Sequence, residues 1–346
     1  MALFGRKKTT VGLDIGSGLI KVAVVDHSKR EPELVKVTVT PLLADAIVEG
    51  EVMDPGIVAD AIQAALASAG VAGKAVVTAV GGRDVIIKKI QIERVKEQQA
   101  RELMRWEAEQ HVPFDMESVE LDFQILDPDG EGLEMSVLLV AAKRELVESK
   151  LRVLTDAGLE PAVVDVEAFA LHNAFEINHP DAMSGVVGLL NIGHDVTNIN
   201  ILDDGVPLLT RDLTVGTRRF KEDLQRERGL PADEAQSLLQ GFDRSAHLDA
   251  VLETRGEEIA VGFERAAQFL AQSSRGGQVR AIYTSGGGSR IPGLNEMLAA
   301  RLRTTVHQAN PLANLRVRDG ALESLVTDEI APLLMLPIGL ALRQVA

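Results

Sequence analysis

Residues 11–26, VGLDIGSGLIKVAVVD, place an acid, a glycine turn and a base within one short stretch: Asp14, then Gly16-Ser17-Gly18, then Lys21. This combination suits phosphate chemistry. Glycines without a Cβ let backbone N–H groups close on phosphate oxygens as a nest. Ser17 adds a hydroxyl donor, and Lys21 would point back at the phosphates as a cation. Asp14 would repel phosphate unless Mg²⁺ lies between them, reached through a metal-bound water. The same residues also suit a tight β-hairpin with a partly solvated aspartate, and this stretch alone does not separate the two readings.

Two further loops bear on the choice. In GVVGLLNIGHDVTNINILDDG, Asn191-Ile192-Gly193 aligns with Asp14-Ile15-Gly16. Gly193, Thr197 and Asn198 would then close on a phosphate chain from the opposite side. Gly286-Gly287-Gly288 follows an apolar strand and precedes a helix, which allows close backbone approach to a base or an α-phosphate. A flexible strand-to-helix turn is the simpler alternative there. Three such loops in this order are more specific than one. They are neither the Walker type nor the dinucleotide fingerprint, because no glycine run is followed by Lys-Ser or Lys-Thr. The echo points to two halves of related design facing a shared cleft, against chance likeness of two strand-turn-strand units.

Strands must flank each loop to present it. TVGLDIGSGLIKVAVVD reads as strand, turn, strand, and LVKVTVTPL as a third strand. Residues 54–70 read as a helix with an Asp cap, Pro at its start and Gly at its end, and KAVVTAVGG as the next strand. Residues 83–165 change character: strand, amphipathic helix, two strands around DPDGEG, a second helix and a last strand. That order suggests a small split β-α-β module inserted into the first domain. Leu103, Trp106 and Val112-Pro113-Phe114 are expected in its core rather than on a groove wall, because large apolar residues are usually buried. AFALHNAFEINH reads as a helix. Residues 215–275 are almost wholly helical, with Arg- and Glu-rich faces read as solvated, and the chain closes on a short apolar helix in MLPIGLALRQVA.

Composition removes several function classes. At 346 residues the chain is too long for one small core, so two or more domains are expected. Hydrophobic residues make up 46% and aromatics 3%, which fits an α/β protein with aliphatic cores. A net charge of −15 disfavours nucleic acid and anionic lipid, and Arg6-Lys7-Lys8 is too short a cluster to reverse that. The absence of cysteine excludes disulfides, a Cys nucleophile and thiolate metal sites. No apolar run reaches the roughly 18 residues of a membrane span, and MALFGRKK lacks the apolar core of a signal peptide. A cytoplasmic protein without direct membrane insertion is expected, meeting a membrane only through a partner.

The sequence resembles the actin-like ATPase superfamily over its full length. LDIGSGLIK is similar to its first phosphate motif, LNIGHDVTNINIL to the second and YTSGGGSRIPGL to the adenosine motif. VDVEAFALHNAF and LPIGLALR resemble the two connecting hinge helices. Within the superfamily the closest resemblance is to the PilM family of type IV pilus assembly. It is carried by HVPFDMESVELDFQIL, VLLVAAKRELVESKL, GLEPAVVDVEAFALHNAFE and GLALR. The implied fold is α/β: two ribonuclease-H-like domains around a nucleotide cleft, with a small inserted α+β module. The implied boundaries are 1–82 and 164–186 for the first domain, 83–163 for the module, 187–215 and 276–346 for the second domain, and 216–275 for a helical subdomain.

The resemblance implies ATP with Mg²⁺ in the cleft, Gly216 and Lys221 joining the three loops as nucleotide contacts, and Asp14 and Asn191 reaching Mg²⁺ through water. It implies a partner too: the short N-terminal cytoplasmic tail of a PilN-like membrane protein, held beside the inserted module. Through it the chain would meet the PilO/PilP alignment complex indirectly, and the pilus motor ATPases. Two positions depart from the superfamily pattern. Asn191 stands where the second phosphate motif usually has Asp, which removes one anion from the Mg²⁺ site. Gln236 and Leu239 stand where Glu and Lys usually meet the adenosine. The reading that follows is an ATP-binding scaffold with weak or no hydrolysis. The alternatives are a small-molecule kinase of the same superfold, with Asp165 or Glu167 as base, and an FtsA-like division or filament protein.

Overall fold

The computed structural model describes residues 9–241, 245–272, 277–323 and 325–345, so Arg6-Lys7-Lys8 lies outside the described residues. Strand β2 (Leu19–Asp26) is apolar on both faces: Ile20 and Val22 enter one core, Ala23 and Val25 another. A strand buried on both sides reads as a continuous apolar run, which is why VAVV follows the glycine turn. It lies in a six-stranded sheet of order β10 (Glu160–Val166), β6 (Ala75–Val80), β1 (Thr9–Ile15), β2, β3 (Glu33–Pro41) and β16 (Arg316–Val317). Strands β1 to β3 form an antiparallel meander, while β6 and β10 add in parallel beside β1.

A five-stranded sheet repeats this plan. Its order is β13 (Val206–Leu213), β12 (Thr197–Asp203), β11 (Val186–Ile192), β14 (Ala281–Ser285) and β15 (Thr305–Gln308). Here β11 to β13 are the antiparallel meander and β14 and β15 the parallel additions. The echo between Asp14 and Asn191 therefore extends to the topology of two whole sheets.

Helix α4 (Glu167–Asn178) leads from the first sheet to the second, and α11 (Met335–Leu342) returns to the first. Both lie in a core shared by the two sheets. Phe175 of α4 and Ile338 of α11 pack there with Val77 of one sheet and Leu189 of the other. The backbones approach closely. A Cβ at Gly339 would overlap the Ala170 carbonyl oxygen, and one at Gly12 would overlap that of Pro337. The opposite face of the first sheet is covered by α1 (Pro55–Ser68) and α3 (Arg144–Asp156), below a short hairpin of β4 (Ile47–Val48) and β5 (Glu51–Val52). Asp54 caps α1, its side chain accepting from Ile57 N at 3.1 Å, with Pro55 in the first turn.

The inserted module is a three-stranded antiparallel sheet of β7 (Val85–Glu93), β9 (Glu134–Lys143) and β8 (Val119–Ile125), covered by α2 (Glu97–His111). It differs from expectation in two ways. Trp106 is 71% exposed and not part of the core. The buried stripe of α2 is Ala100, Met104 and Ala108, four residues apart, and Trp106 falls two residues off that stripe. Second, α3 and β10 belong by packing to the first sheet. Val153 and Leu154 pack into the core under α1, and β10 pairs with β6. Local strand and helix signals do not record which sheet edge an element joins, so the module ends earlier than its sequence pattern.

In the second half, α5 (Thr217–Arg228), α6 (Ala232–Gln240) and α7 (Ala246–Val251) share one core with the five-stranded sheet, and the helix that lies on the sheet itself is the one carrying Phe263, whose ring stands against Gly188. Helix α7 continues through a wider π turn, Leu252–Gly256, into α8 (Glu257–Gln272). Helix α9 (Leu294–Leu302) follows β14, and a short α10 (Thr327–Ile330) leads to α11. Among the described residues no helix is long and apolar enough to cross a membrane.

The contact of α11 with α4 generates a stability prediction. Gly339→Ala forces a methyl group against a backbone oxygen and is expected to destabilise the fold by at least about 3 kcal/mol. Gly73→Ala, where a Cβ meets nothing within 4 Å, is expected to change stability by less than about 0.5 kcal/mol. Urea unfolding of both variants checks the difference, and equal midpoints would contradict the close crossing.

Candidate functional site

A cavity of about 550 Å³ lies between the two halves. Its walls are the β1–β2 tip, the β11–β12 tip, the turn after β14, Gly81-Gly82 after β6, and one side each of α3 and α6. The two tips are built alike. Each strand pair ends on an opposed pair, Ile15 with Ile20 and Ile192 with Thr197. Gly16 N donates to Leu19 O at 3.1 Å, and Gly193 N donates to Val196 O at 2.9 Å. The tips meet, since a Cβ at Gly18 would stand 3.1 Å from Cγ of His194.

One step below each tip sits an opposed polar pair. Asp14 faces Lys21, and Lys21 Nζ donates to Asp14 Oδ2. Asn191 faces Asn198, and its Nδ2 donates to Asn198 Oδ1 at 3.1 Å. Asn191 Oδ1 accepts from Ser285 Oγ at 3.2 Å. The first half therefore balances its charges as an ion pair, and the second is neutral by its residue types. Lys21, expected to point at phosphate, is held by Asp14 in this structure.

The third loop is positioned by backbone contacts. Gly286 has φ +79°, and its N–H donates to Pro332 O at 2.8 Å. A Cβ there would lie 2.5 Å from Ile192 O, so glycine is needed for both conformation and space. Gly287 lines the cavity, and a built Cβ there would make ordinary contacts with Leu333 Cδ2 and Thr217 Cγ2, both at 3.8 Å.

Asp14, Gly16, Ser17, Gly18 and Lys21 all line this one cavity, as do Asn191, Gly193, Asn198, Lys221, Gly286 and Gly287. Thr197, Gly216 and Gly288, expected as nucleotide contacts, are not among the residues lining it. Thr197 is fully buried and donates from Oγ1 to Val215 O at 2.6 Å. A Cβ on Gly216 would overlap His194 O, and one on Gly288 would overlap Ile192 Cγ2. These three let the loops pack on one another. Gln236 and Leu239 do line the cavity. Asp165 is buried and paired with Arg343 at 3.3 Å, away from the cavity lining, so it is not placed to act as a base there.

Glu167, at the start of α4, lines the cavity. It accepts from Asn198 Nδ2 at 3.3 Å, and the same Nδ2 donates to Asp212 at 2.6 Å. Burial, with the neighbouring Asp212 charge, pushes Glu167 up to about 7. Burial also raises Asp212, against the hydrogen bond from Asn198. Lys150 of α3 reaches the same region, and burial lowers its pKa against the pull of Glu167 and Asp14.

The cavity mouth is clasped across the two halves. Glu49 N donates to Asp195 Oδ2 at 2.9 Å, and Arg218 Nε stands 3.0 Å from Asp195 Oδ1. Arg218 also reaches Asp45 at 3.6 Å, and Arg219 reaches Glu49 at 3.8 Å. Asp45 and Glu49 hold φ of +61° and +51°, a strained conformation for residues other than glycine. Sequence reading missed this clasp and missed Lys150. Their roles depend on which segments face the cleft, and no local pattern carries that.

The arrangement matches known proteins. A family model described as type IV pilus assembly protein PilM matches residues 12–345. This chain belongs to the PilM family. It is 30% identical to a chain solved as a PilM-PilN type IV pilus biogenesis complex, with a TM-score of 0.86 over 99% of this chain and 100% of that one. Ethanolamine utilization protein EutJ from Carboxydothermus hydrogenoformans is 19% identical, with a TM-score of 0.56 over 97% of this chain and 90% of that one. MreB5 of Spiroplasma citri bound to AMPPNP is 12% identical, with a TM-score of 0.54 over 97% and 95%. These last two bear on the fold alone. The fold is that of the actin-like ATPases, and the PilM-family role in type IV pilus assembly is favoured over a small-molecule kinase or an FtsA-like role.

Glu167 generates a pH prediction. Folded, it keeps its proton to about pH 7, whereas an ordinary glutamate loses it near 4.5. The folded state then binds more protons than the unfolded chain in that window, so stability falls as pH rises through it. Glu167→Gln is expected to remove this slope. Its melting temperature should exceed wild type by on the order of 2–5 °C at pH 8 and converge with it near pH 5. Calorimetric scans across that range check this, and parallel slopes would contradict it.

Proposed function

We propose that this protein is an ATP-binding, actin-like scaffold of the type IV pilus inner-membrane complex. The observation that carries the nucleotide reading is the pair of alike glycine tips facing each other across one cavity, with Gly287 lining it beside them. The AMPPNP held by the similarly folded MreB5 supports it. In this reading the backbone N–H groups of the two tips hold the phosphate chain, and the turn at Gly286 and Gly287 admits the base end.

The residues present fit a Mg²⁺ that arrives with the nucleotide. Lys21 takes Asp14 Oδ2 and leaves Oδ1 for a metal-bound water. Bound there, Mg²⁺ would neutralise phosphate charge. Asn191 contributes no charge, and both ends of its amide are engaged within the second half. That supports holding ATP with weak or no hydrolysis, since turnover needs stabilisation specific to the transition state.

The PilM-PilN complex this chain resembles supports a PilN partner, and in this reading the part held is the N-terminal cytoplasmic tail of a PilN-like membrane protein. The inserted sheet offers β8 as an edge, paired among the described residues with β9 alone, and an extended tail can add to such an edge. The protein would thus be cytoplasmic, peripheral to the inner membrane, linked to PilO/PilP indirectly and to the motor ATPases. The division into two actin-like domains, inserted module and helical subdomain is proposed alongside, with α3 assigned to the first domain.

Calorimetric titration of Mg·ATP tests the cleft. Asp14→Ala and Gly287→Val are each expected to weaken binding at least about tenfold, the second by adding a side chain to the cavity wall. Wild-type affinity in Gly287→Val would reject the assignment. A synthetic tail peptide tests the partner: Trp106, the chain's single tryptophan, is expected to change emission on binding if the tail docks beside α2. Absence of any peptide binding would remove the partner assignment.

A further inference from the structure

Lys150 is the feature of the cleft that the reading above leaves unused. It stands on α3, the helix that follows the inserted sheet, and it lines the cavity together with Asp14, Gly16 and Asn191. Among the described residues it makes no ion pair and no hydrogen bond. The carboxylates that act on it are Glu167 and Asp14. Neither is a free partner: Asp14 is held by Lys21, and Glu167 accepts from Asn198. A half-buried ammonium without a partner is costly, and an anion entering the cavity relieves that cost.

The position of Lys150 decides which part of an anion it meets. The turn at Gly286 and Gly287 packs on Ile192 and Pro332, and so belongs to the second half. Lys150 comes from the first half, beside the carboxylates at the start of α4 and in β1. A nucleotide with its base at the glycine turn runs its phosphates past the two tips and ends near Lys150. A diphosphate stops one group short.

Resting on the nucleotide reading, we infer that Lys150 is the residue by which this cleft distinguishes a nucleoside triphosphate from a diphosphate, and that its helix carries the distinction to the inserted sheet. The connection is direct. Lys143 is both the last residue of β9 and the residue that caps α3, so no loop separates the strand from the helix bearing Lys150. The junction is pinned as well: Lys143 N donates to Asp84 O at 3.0 Å, and Lys143 Nζ pairs with Asp84 at 2.7 Å. A shift of Lys150 toward a terminal phosphate therefore acts through α3 on β9, the central strand of the sheet whose β8 edge is proposed to hold the tail.

A purely structural role would make Lys150 a counter-charge for Glu167, and the two roles separate experimentally. Mg·ATP and Mg·ADP are titrated calorimetrically into the full chain as wild type, Lys150→Gln and Lys150→Arg. Lys150→Gln is expected to lose at least about tenfold in ATP affinity and less than about twofold in ADP affinity, with Lys150→Arg close to wild type. Equal losses for the two nucleotides, or no loss, would overturn the inference while leaving the cleft assignment standing. Failure of the wild type to bind either nucleotide would instead overturn the cleft assignment itself. In a second arm the tail peptide is titrated with and without ATP. The variant is expected to keep its affinity for the peptide and to lose the ATP dependence seen in wild type. A wild type without ATP dependence, or a variant that retains it, would overturn the transmission from α3.

Discussion

The close crossing of two helices between two sheets is the constraint on which the rest of this structure depends. Gly339 lies against the Ala170 carbonyl, and Gly12 against that of Pro337, so α4, α11 and β1 share one tightly filled core. Side chains at either glycine would push the sheets apart. Because β1 and β11 both carry residues into or beside this core, their turns are aimed at the same space. The cavity follows from the packing beneath it.

Charge in that space is arranged by halves. The first half holds opposite charges as a pair, Asp14 with Lys21, while the second half meets it with two amides. Beyond them, Glu167, Asp212 and Lys150 stand where burial works against their ionised forms. Such a site is poorly satisfied by its own groups.

Much of this was legible in the sequence. Glycine turns between apolar runs locate both hairpin tips, and the match of Asn191 to Asp14 points to two halves of related design. Residue type did not settle role. Gly216 and Gly288 pack against neighbouring atoms instead of lining the cavity, because whether a missing Cβ leaves room for a ligand or for another backbone depends on the loop opposite. Trp106 read as core on size, and the helix stripe through Ala100, Met104 and Ala108 turned it outward. Lys150 sits in an ordinary amphipathic pattern, and its place in the cleft arises only when α3 leaves the inserted module to pack on α1.

The clasp at the cavity mouth has two layers that answer to different solvents. Asp195 is shielded, and its bond from Glu49 N is insulated from bulk ions. Asp45, Glu49 and Arg219 lie at the exposed rim, where added salt screens their ion pairs over a Debye length of about 8 Å at physiological ionic strength. Raising the salt therefore loosens the rim and leaves the inner bond in place. The entrance then breathes without the two halves parting, and traffic through it becomes a matter of ionic strength rather than of the fold's overall stability.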